Sequence, residues 1–222
     1  MQTAALVTAD RAKVEGRADV LACIRDGWAS ASGGRPTVIE VVGAEGMGVT
    51  RLLADLGAMV VKSLAAYAWA GNPAPRVHPA GPGMINAVGL QGPGVEHWLA
   101  DELPELVQSG ARVVASIWGR SVDDYRIAAE QLASAPAEVV AVEVNLSCPN
   151  LEGRRGIFAH DADLSAEVIE ATAAAGRPRW AKLSPNVGDI VPIVDAAMRG
   201  GAEAVTLVNT VMGMAIDPAR RA

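Results

Sequence analysis

Val139-Val-Ala-Val-Glu-Val144, followed at once by Asn145-Leu-Ser-Cys-Pro-Asn150, is the stretch that decides how this chain folds. Its first half is a β-branched hydrophobic run of the kind that forms a buried strand. Its second half places the thiol of Cys148 between two amides, in a loop where that strand ends. Parallel α/β proteins carry their chemistry at the carboxyl ends of their strands. We therefore expect a parallel sheet with a functional loop after this strand.

The same alternation of strand and helix repeats along the chain from Thr37 onward. Short β-branched runs alternate with Ala-rich stretches whose apolar residues have helical spacing, which predicts repeated βα units. The predicted strands are Thr37–Val42, Ala58–Val61, Arg112–Ile117, Val139–Val144, Arg179–Leu183 and Ala204–Val208, and the predicted helices are Val49–Leu56, Gly94–Gln108, Ser121–Ala133, Ser165–Ala175 and Asp189–Met198. About six units fit either an open doubly wound sheet or a (β/α)8 barrel that stops early.

Two segments depart from this pattern. Residues 1–35 have little periodicity and end near the flexible Ser32-Gly-Gly34, so we expect an atypical N-terminal segment before a larger domain over 36–222. The stretch Ala70–Pro93 is rich in proline and glycine and is far longer than an ordinary βα connection. Long excursions of this kind on compact domains are often functional, so this stretch is a second candidate region.

Composition narrows the classes of function. A net charge of -6 at pH 7 argues against a nucleic-acid or anionic-membrane surface and favours a small-molecule partner. Cys23 and Cys148 are the only cysteines, which excludes a disulfide framework or a multi-cysteine metal site, and the three histidines lack metal-binding spacing. No apolar stretch has the pattern of a membrane span or a signal peptide. A cytoplasmic protein is expected.

Polar residues at the strand ends are the candidates for chemistry. Cys148 could act as a nucleophile or general base, or it could be a buried cysteine that only packs. Asn145 and Asn150 offer donors and acceptors for a planar polar molecule, although asparagines also serve as turn residues. Lys62 and Lys182 each lie at the end of a predicted strand and could bind an anionic ligand or an electron-rich cofactor, or be simply solvated.

Five motifs together resemble those of the dihydroorotate dehydrogenase family. They are Val144-Asn-Leu-Ser-Cys-Pro-Asn150, Gly71-Asn-Pro-Ala-Pro-Arg-Val77, Met84-Ile-Asn-Ala-Val-Gly-Leu-Gln91, Ala181-Lys-Leu-Ser-Pro-Asn186 and Val208-Asn-Thr-Val-Met-Gly-Met-Ala-Ile-Asp217. The resemblance implies a (β/α)8 TIM barrel that binds FMN at the carboxyl ends of its strands. It also implies oxidation of dihydroorotate to orotate in the biosynthesis of pyrimidines and UMP, with 36–222 as a partial FMN-binding barrel.

Details of the motifs indicate a subclass. Cysteine in the Asn-Leu-Ser-Cys-Pro-Asn loop is similar to the soluble class 1 enzymes, and the run Gly213-Met-Ala-Ile-Asp217 leans toward those that pass electrons to NAD. The resemblance to that subclass implies an iron-sulfur and FAD electron-transfer subunit as a partner. It also implies an oligomer, either a homo-oligomer or a hetero-oligomer.

The resemblance also implies roles for individual residues. Cys148 would remove the C5 proton of dihydroorotate while a hydride moves from C6 to flavin N5. The residues implied for substrate are Lys62, Asn86, Val88, Gly89, Leu90, Asn145, Asn150, Asn209 and Thr210. The residues implied for FMN are Lys62, Ser63, Ser116, Asn145, Lys182 and Val208.

This sequence departs from the family pattern in two places. The stretch Val41-Val-Gly-Ala-Glu-Gly-Met-Gly48 stands where the family has an Ala-Ser-Gly-Thr-like turn, and the glycine-rich loops that hold the FMN phosphate are not found. A barrel truncated at its C-terminus is therefore expected. The alternatives are a dihydropyrimidine dehydrogenase-like barrel, which Asn150 argues against because that relative tends to have histidine there, and a non-catalytic remnant or partner subunit.

Overall fold

The structure of this chain is a computed structural model. It describes residues 58–80, 83–147, 149–150, 156–208 and 211–214, with the backbone alone at 149–150 and 156. The segment 1–35, the predicted strand Thr37–Val42 and the predicted helix Val49–Leu56 lie outside the described residues. The chain divides into two compact units, Met1–Met59 with Ser109–Arg112 and Val60–Gln108 with Val113–Ala222. Apart from Met59, all the secondary structure that follows belongs to the second unit.

The described residues form nine strands and five α-helices. The strands are β1 (Met59–Val60), β2 (Val77–Ala80), β3 (Gly83–Asn86), β4 (Val113–Ile117), β5 (Val139–Asn145), β6 (Pro149–Asn150), β7 (Gly156–Ile157), β8 (Arg179–Lys182) and β9 (Ala204–Thr206). The helices are α1 (Val95–His97), which continues through a π-helical turn (Trp98–Glu102) into α2 (Leu103–Gln108), then α3 (Val122–Leu132), α4 (Ala162–Ala171) and α5 (Val191–Arg199). Two 3₁₀ turns flank α4, at Phe158–His160 and Thr172–Ala175.

Within the described residues the main sheet has five strands in the order β1-β4-β5-β8-β9, which is their order along the chain. Strands β4, β5, β8 and β9 pair in parallel. A doubly wound sheet reverses its strand order at a switch point, whereas each new strand of a barrel is added on the same side. The observed order is therefore that of part of a (β/α)8 barrel, as the sequence predicts.

The two faces of this sheet differ in chemistry. Side chains alternate between the faces of a strand, so Ile117, Val144 and Ala181, which lie opposite one another, share one face. All three are fully buried. Two aromatic side chains outside the sheet also pack together: the ring of Tyr125 in α3 meets the ring of Phe158 edge-to-face, with centroids 5.4 Å apart. The other face carries the polar residues described below.

Most predicted elements are confirmed within two residues, but the predicted start of one helix is wrong. The predicted helix Ser121–Ala133 is confirmed as α3, and Ser121 is its cap, because Ser121 Oγ accepts a hydrogen bond from Asp124 N at 3.1 Å. Ser165 was expected to open the next helix, yet it lies inside α4, where its buried Oγ donates to Phe158 O. The cap is instead Asp161, whose Oδ1 accepts from Leu164 N at 3.0 Å.

The stretch Ala70–Pro93 is more ordered than its composition suggests. It contains the antiparallel hairpin of β2 and β3, with Val77 opposite Asn86 and Ala80 opposite Gly83. The hairpin strands are largely exposed, so they lack the alternation of buried and exposed positions by which a strand is predicted from sequence.

Candidate functional site

Six polar side chains meet at the carboxyl ends of the barrel strands. The strand register pairs Ser116 with Glu143, Asn145 with Lys182, and Lys182 with Thr206, which puts all of them on one face. Ser63, just beyond β1, joins them through its hydroxyl group. We call Ser63, Ser116, Glu143, Asn145, Lys182 and Thr206 the strand-end cluster. All but Thr206 are buried.

Hydrogen bonds link the strand-end cluster in one direction. Asn145 Nδ2 donates to Ser63 Oγ at 3.1 Å, and Ser63 Oγ lies 2.8 Å from Ser116 Oγ. Ser116 Oγ donates to Glu143 Oε1 at 3.0 Å. Because the Ser116 proton is used in that bond, the proton between the two serines must come from Ser63. The chain of donors therefore runs from the Asn145 amide to the Glu143 carboxylate.

Glu143 is also the point where two further strands meet. Thr206 Oγ1 donates to Glu143 Oε2 at 2.9 Å, and Lys182 Nζ lies 3.7 Å from Glu143 Oε1. The side chains of Glu143 and Lys182 are only 3% and 11% exposed. A carboxylate this deeply buried is tolerated because it has an ammonium beside it and hydroxyl donors on both oxygens.

Hydrogen bonds fix the start of the loop after β5. Asn145 Oδ1 accepts from Ser147 N at 3.2 Å and from Ser147 Oγ at 2.5 Å. Tyr125 Oη donates to the Asn145 carbonyl at 2.7 Å. These bonds fix the backbone and the side-chain amide of Asn145. Three residues later comes Cys148, which lies outside the described residues, and the backbone of β6 then pairs with β7.

The two motifs of the Pro/Gly-rich stretch form one structural unit. Asn72 Nδ2 donates to Ala87 O at 2.8 Å, and Arg76 Nη2 donates to Gln91 Oε1 at 2.5 Å. Gly89 has a φ of 78°, and a Cβ there would lie 2.7 Å from the Asn72 side chain. Residues 71–77 thus act as the support on which the loop 84–91 is built.

Trp69 holds this same loop from the other side. Its Nε1 donates to Gly89 O at 2.7 Å, and the Arg120 guanidinium lies 3.8 Å from its ring centroid. Leu90 packs with Trp69 against the buried Trp118. The backbone at 88–90, which the resemblance assigns to substrate binding, is therefore positioned by an indole hydrogen bond.

The substitution Trp69→Phe is expected to loosen this loop without unfolding the protein. It removes one hydrogen bond worth about 1 kcal/mol and weakens the contact with Arg120. Amide hydrogen exchange at Val88–Gln91 should become about fivefold faster. Trp118→Phe is the matched control, because the Trp118 indole N–H has no hydrogen-bond partner among the described residues. Equal acceleration in both variants would contradict this role of Trp69.

A cavity of about 500 Å³ lies beside this loop and next to the end of β1. Lys62 and Val88, both implied for substrate, contribute to its wall, and Lys62 is exposed. The remaining lining residues are mostly apolar, among them Leu64, Trp69, Trp98 and Leu106. The two lysines that look equivalent in sequence thus differ in structure, since Lys182 is buried and paired whereas Lys62 borders an open cavity.

The structure brings some of the expected site residues together and places others apart. Ser63, Ser116, Asn145 and Lys182, all implied for FMN, are in the strand-end cluster. Asn86 and Val208 are exposed, and Asn150 is described only by its backbone. Cys148, Asn209 and Thr210 lie outside the described residues, so their roles stay predictions.

Sequence reasoning missed Glu143 and Thr206. The signal for Glu143 was present, since it is the single charged residue in the run Val139–Val144, and a charge in a buried strand needs a partner. Thr206 carried no such signal, because threonine is common in strands.

The donors of the strand-end cluster suit a flavin ring. The Lys182 ammonium has three protons, and Glu143 is its only partner among the described residues. The Asn145 amide likewise has two protons, of which one is given to Ser63. Both groups can therefore donate to the carbonyl and nitrogen acceptors of an isoalloxazine edge.

The described residues contain no group of three or more His, Cys, Asp or Glu side chains that could hold a metal ion. Among the helices described, none has both the length and the apolar character needed to cross a bilayer.

Comparison with known proteins supports the predicted resemblance. A family model described as dihydroorotate dehydrogenase matches residues 39–221. The chain is 42% identical over 170 residues to a protein of Alkaliphilus metalliredigens, which covers 76% of this chain and 56% of that protein. It is 43% identical over 166 residues to a protein of Alkaliphilus oremlandii (74% and 54%), and 45% identical over 170 residues to one of Desulforudis audaxviator (76% and 55%).

All three relatives are named dihydroorotate dehydrogenase B (NAD(+)), catalytic subunit. The predicted resemblance to the NAD-linked subclass is therefore confirmed. The chain spans about half the length of the curated relatives it matches.

Proposed function

We infer the function from one premise, that this chain belongs to the dihydroorotate dehydrogenase family, as the match over residues 39–221 shows. We propose that the chain acts in the FMN-dependent oxidation of dihydroorotate to orotate, a step of pyrimidine biosynthesis. The observation that carries the proposal is the strand-end cluster. It supplies a buried ammonium at the end of β8 and, at the end of β5, the oriented amide of Asn145, which is the first residue of the Asn-Leu-Ser-Cys-Pro-Asn loop.

Each residue of the site has a proposed task. Cys148 takes the C5 proton of dihydroorotate, and the amides of Asn86, Asn145, Asn150 and Asn209 hold the pyrimidine edge and the carboxylate of the substrate. The Cys148 thiol would be effective as a base because it has to reach only the C5–H of the substrate, which the amides hold in place. Lys62, beside the cavity, offsets the negative charge of the substrate.

Lys182, Ser63, Ser116 and Asn145 are the residues proposed to hold FMN. When bound, FMN supplies the hydride acceptor for C6 of the substrate. The Lys182 ammonium is suited to the flavin edge on which negative charge develops, because it is fixed in a buried setting where its field is little screened by water.

The proposed partner follows from the names of the relatives. A protein named catalytic subunit implies a second subunit. We propose an iron-sulfur and FAD electron-transfer subunit that passes electrons on to NAD. A cytoplasmic location and a homo-oligomeric or hetero-oligomeric assembly stay predictions.

Turnover by the purified chain supplied with FMN and a dye as electron acceptor tests this proposal. We expect oxidation of dihydroorotate and none of dihydrouracil. Oxidation of dihydrouracil alone would favour the dihydropyrimidine dehydrogenase alternative. Failure to bind FMN or to turn over either compound would favour a non-catalytic role.

A further inference from the structure

Glu143, which was not among the residues predicted from the sequence, contacts more members of the strand-end cluster than any predicted residue does. Its own strand is β5, and its carboxylate accepts from Ser116 of β4 and Thr206 of β9 and faces Lys182 of β8. It therefore joins the ends of four strands of the sheet. It is 2% exposed, so these contacts are made away from bulk water.

The Glu143 carboxylate fixes the geometry of the hydrogen bonds in the strand-end cluster. Because a carboxylate can only accept hydrogen bonds, it sets the direction of the series of hydrogen bonds that begins at Asn145. The Asn145 amide then presents its oxygen to Ser147 N–H and one proton to Ser63. The remaining proton of that amide keeps a fixed direction, three residues before Cys148.

The charge of Glu143 also acts on the Lys182 ammonium. Glu143 lies 3.7 Å from the Lys182 ammonium, in a region where both side chains are almost fully buried. A negative charge at that distance offsets part of the positive field of the ammonium. It also limits where the ammonium can move, because the carboxylate is itself held by two hydroxyl groups.

We propose that Glu143 is a positioning residue that, through Lys182, lowers the reduction potential of bound flavin. This inference rests on the proposed function, since it takes FMN to bind beside the strand-end cluster. The reduced flavin carries more negative charge than the oxidised form, so the full field of Lys182 would favour reduction. Glu143 offsets part of the field of Lys182 and therefore makes reduction of the flavin less favourable.

The test measures the midpoint potential and the Kd of FMN bound to the purified chain and to its variants. Glu143→Gln keeps the size of the side chain and removes its charge. It should favour reduced over oxidised flavin about tenfold, a shift of about +30 mV for a two-electron couple. Ser116→Ala and Thr206→Val each remove one uncharged donor to Glu143 and leave its charge in place, so they should shift the potential much less.

Glu143→Asp covers the case in which Glu143→Gln does not fold. It keeps the charge but withdraws it from Lys182 by one methylene group, so the potential should rise by less than with glutamine and by more than with Ser116→Ala. A potential that falls, or a shift in the Glu143 variants no larger than in Ser116→Ala, would overturn the inference while leaving the proposed function standing. A wild-type chain that binds no FMN would overturn both.

Discussion

Replacing Lys182 by methionine is expected to destabilise the fold by about 3–5 kcal/mol, the cost of leaving a buried carboxylate without its counter-charge. The side chain of Glu143 is 3% exposed, so water cannot take the place of the ammonium 3.7 Å away. The hydroxyl groups of Ser116 and Thr206 would still donate to the carboxylate, but they carry no charge. Denaturant unfolding of the purified variant measures the loss.

Two further variants separate charge from packing. The double variant Glu143→Gln, Lys182→Met removes both charges and should recover most of the lost stability, as neutral replacement of buried ion pairs often does. Lys62→Met is the matched control, because Lys62 is exposed and its loss should change stability by about 0.5 kcal/mol or less. A double variant no more stable than Lys182→Met would show that the pair is not the source of the loss.

The substitution Cys148→Ala is expected to slow the reduction of bound flavin by dihydroorotate by about 10²–10⁴-fold. The thiol is the proposed base, and removing it leaves the C5 proton without an acceptor. Binding of FMN should be unchanged, because the residues proposed to hold it are in the strand-end cluster. Stopped-flow absorbance of the FMN-loaded protein gives the rate.

Cys23→Ala is the natural control for this experiment, since Cys23 is the only other cysteine and no motif includes it. Its rate should equal that of the wild type. An unchanged rate in Cys148→Ala would remove Cys148 from the mechanism, whereas a loss of FMN binding would show that this loop serves the cofactor instead.

Periodicity predicted two of the barrel strands, Val113–Ile117 and Val139–Asn145, because burial on both faces leaves a clear hydrophobic run. Arg179–Lys182 also falls where the sequence places a strand, although it begins and ends with a charged residue and only its last two residues are buried. The hairpin of β2 and β3 could not be predicted in this way. Its residues are largely exposed, so its order comes from contacts such as those of Asn72 and Arg76 rather than from a local pattern.

The candidate site shows a similar division. Lys182 and Asn145 were recognisable as polar residues at strand ends, and the structure brings them to one face of the sheet. Their link through Glu143 depends on the register between β4, β5, β8 and β9, which a single sequence does not encode in any local pattern. For the same reason Lys62 and Lys182 looked equivalent before the structure separated them.

Anaerobic mixing of the FMN-loaded wild-type chain with dihydroorotate tests the central claim most directly. The account predicts that the visible absorbance of the bound flavin is lost as electrons pass from the substrate, and that orotate is formed in equal amount. Flavin that stays bound and fully oxidised after dihydroorotate is added would contradict it.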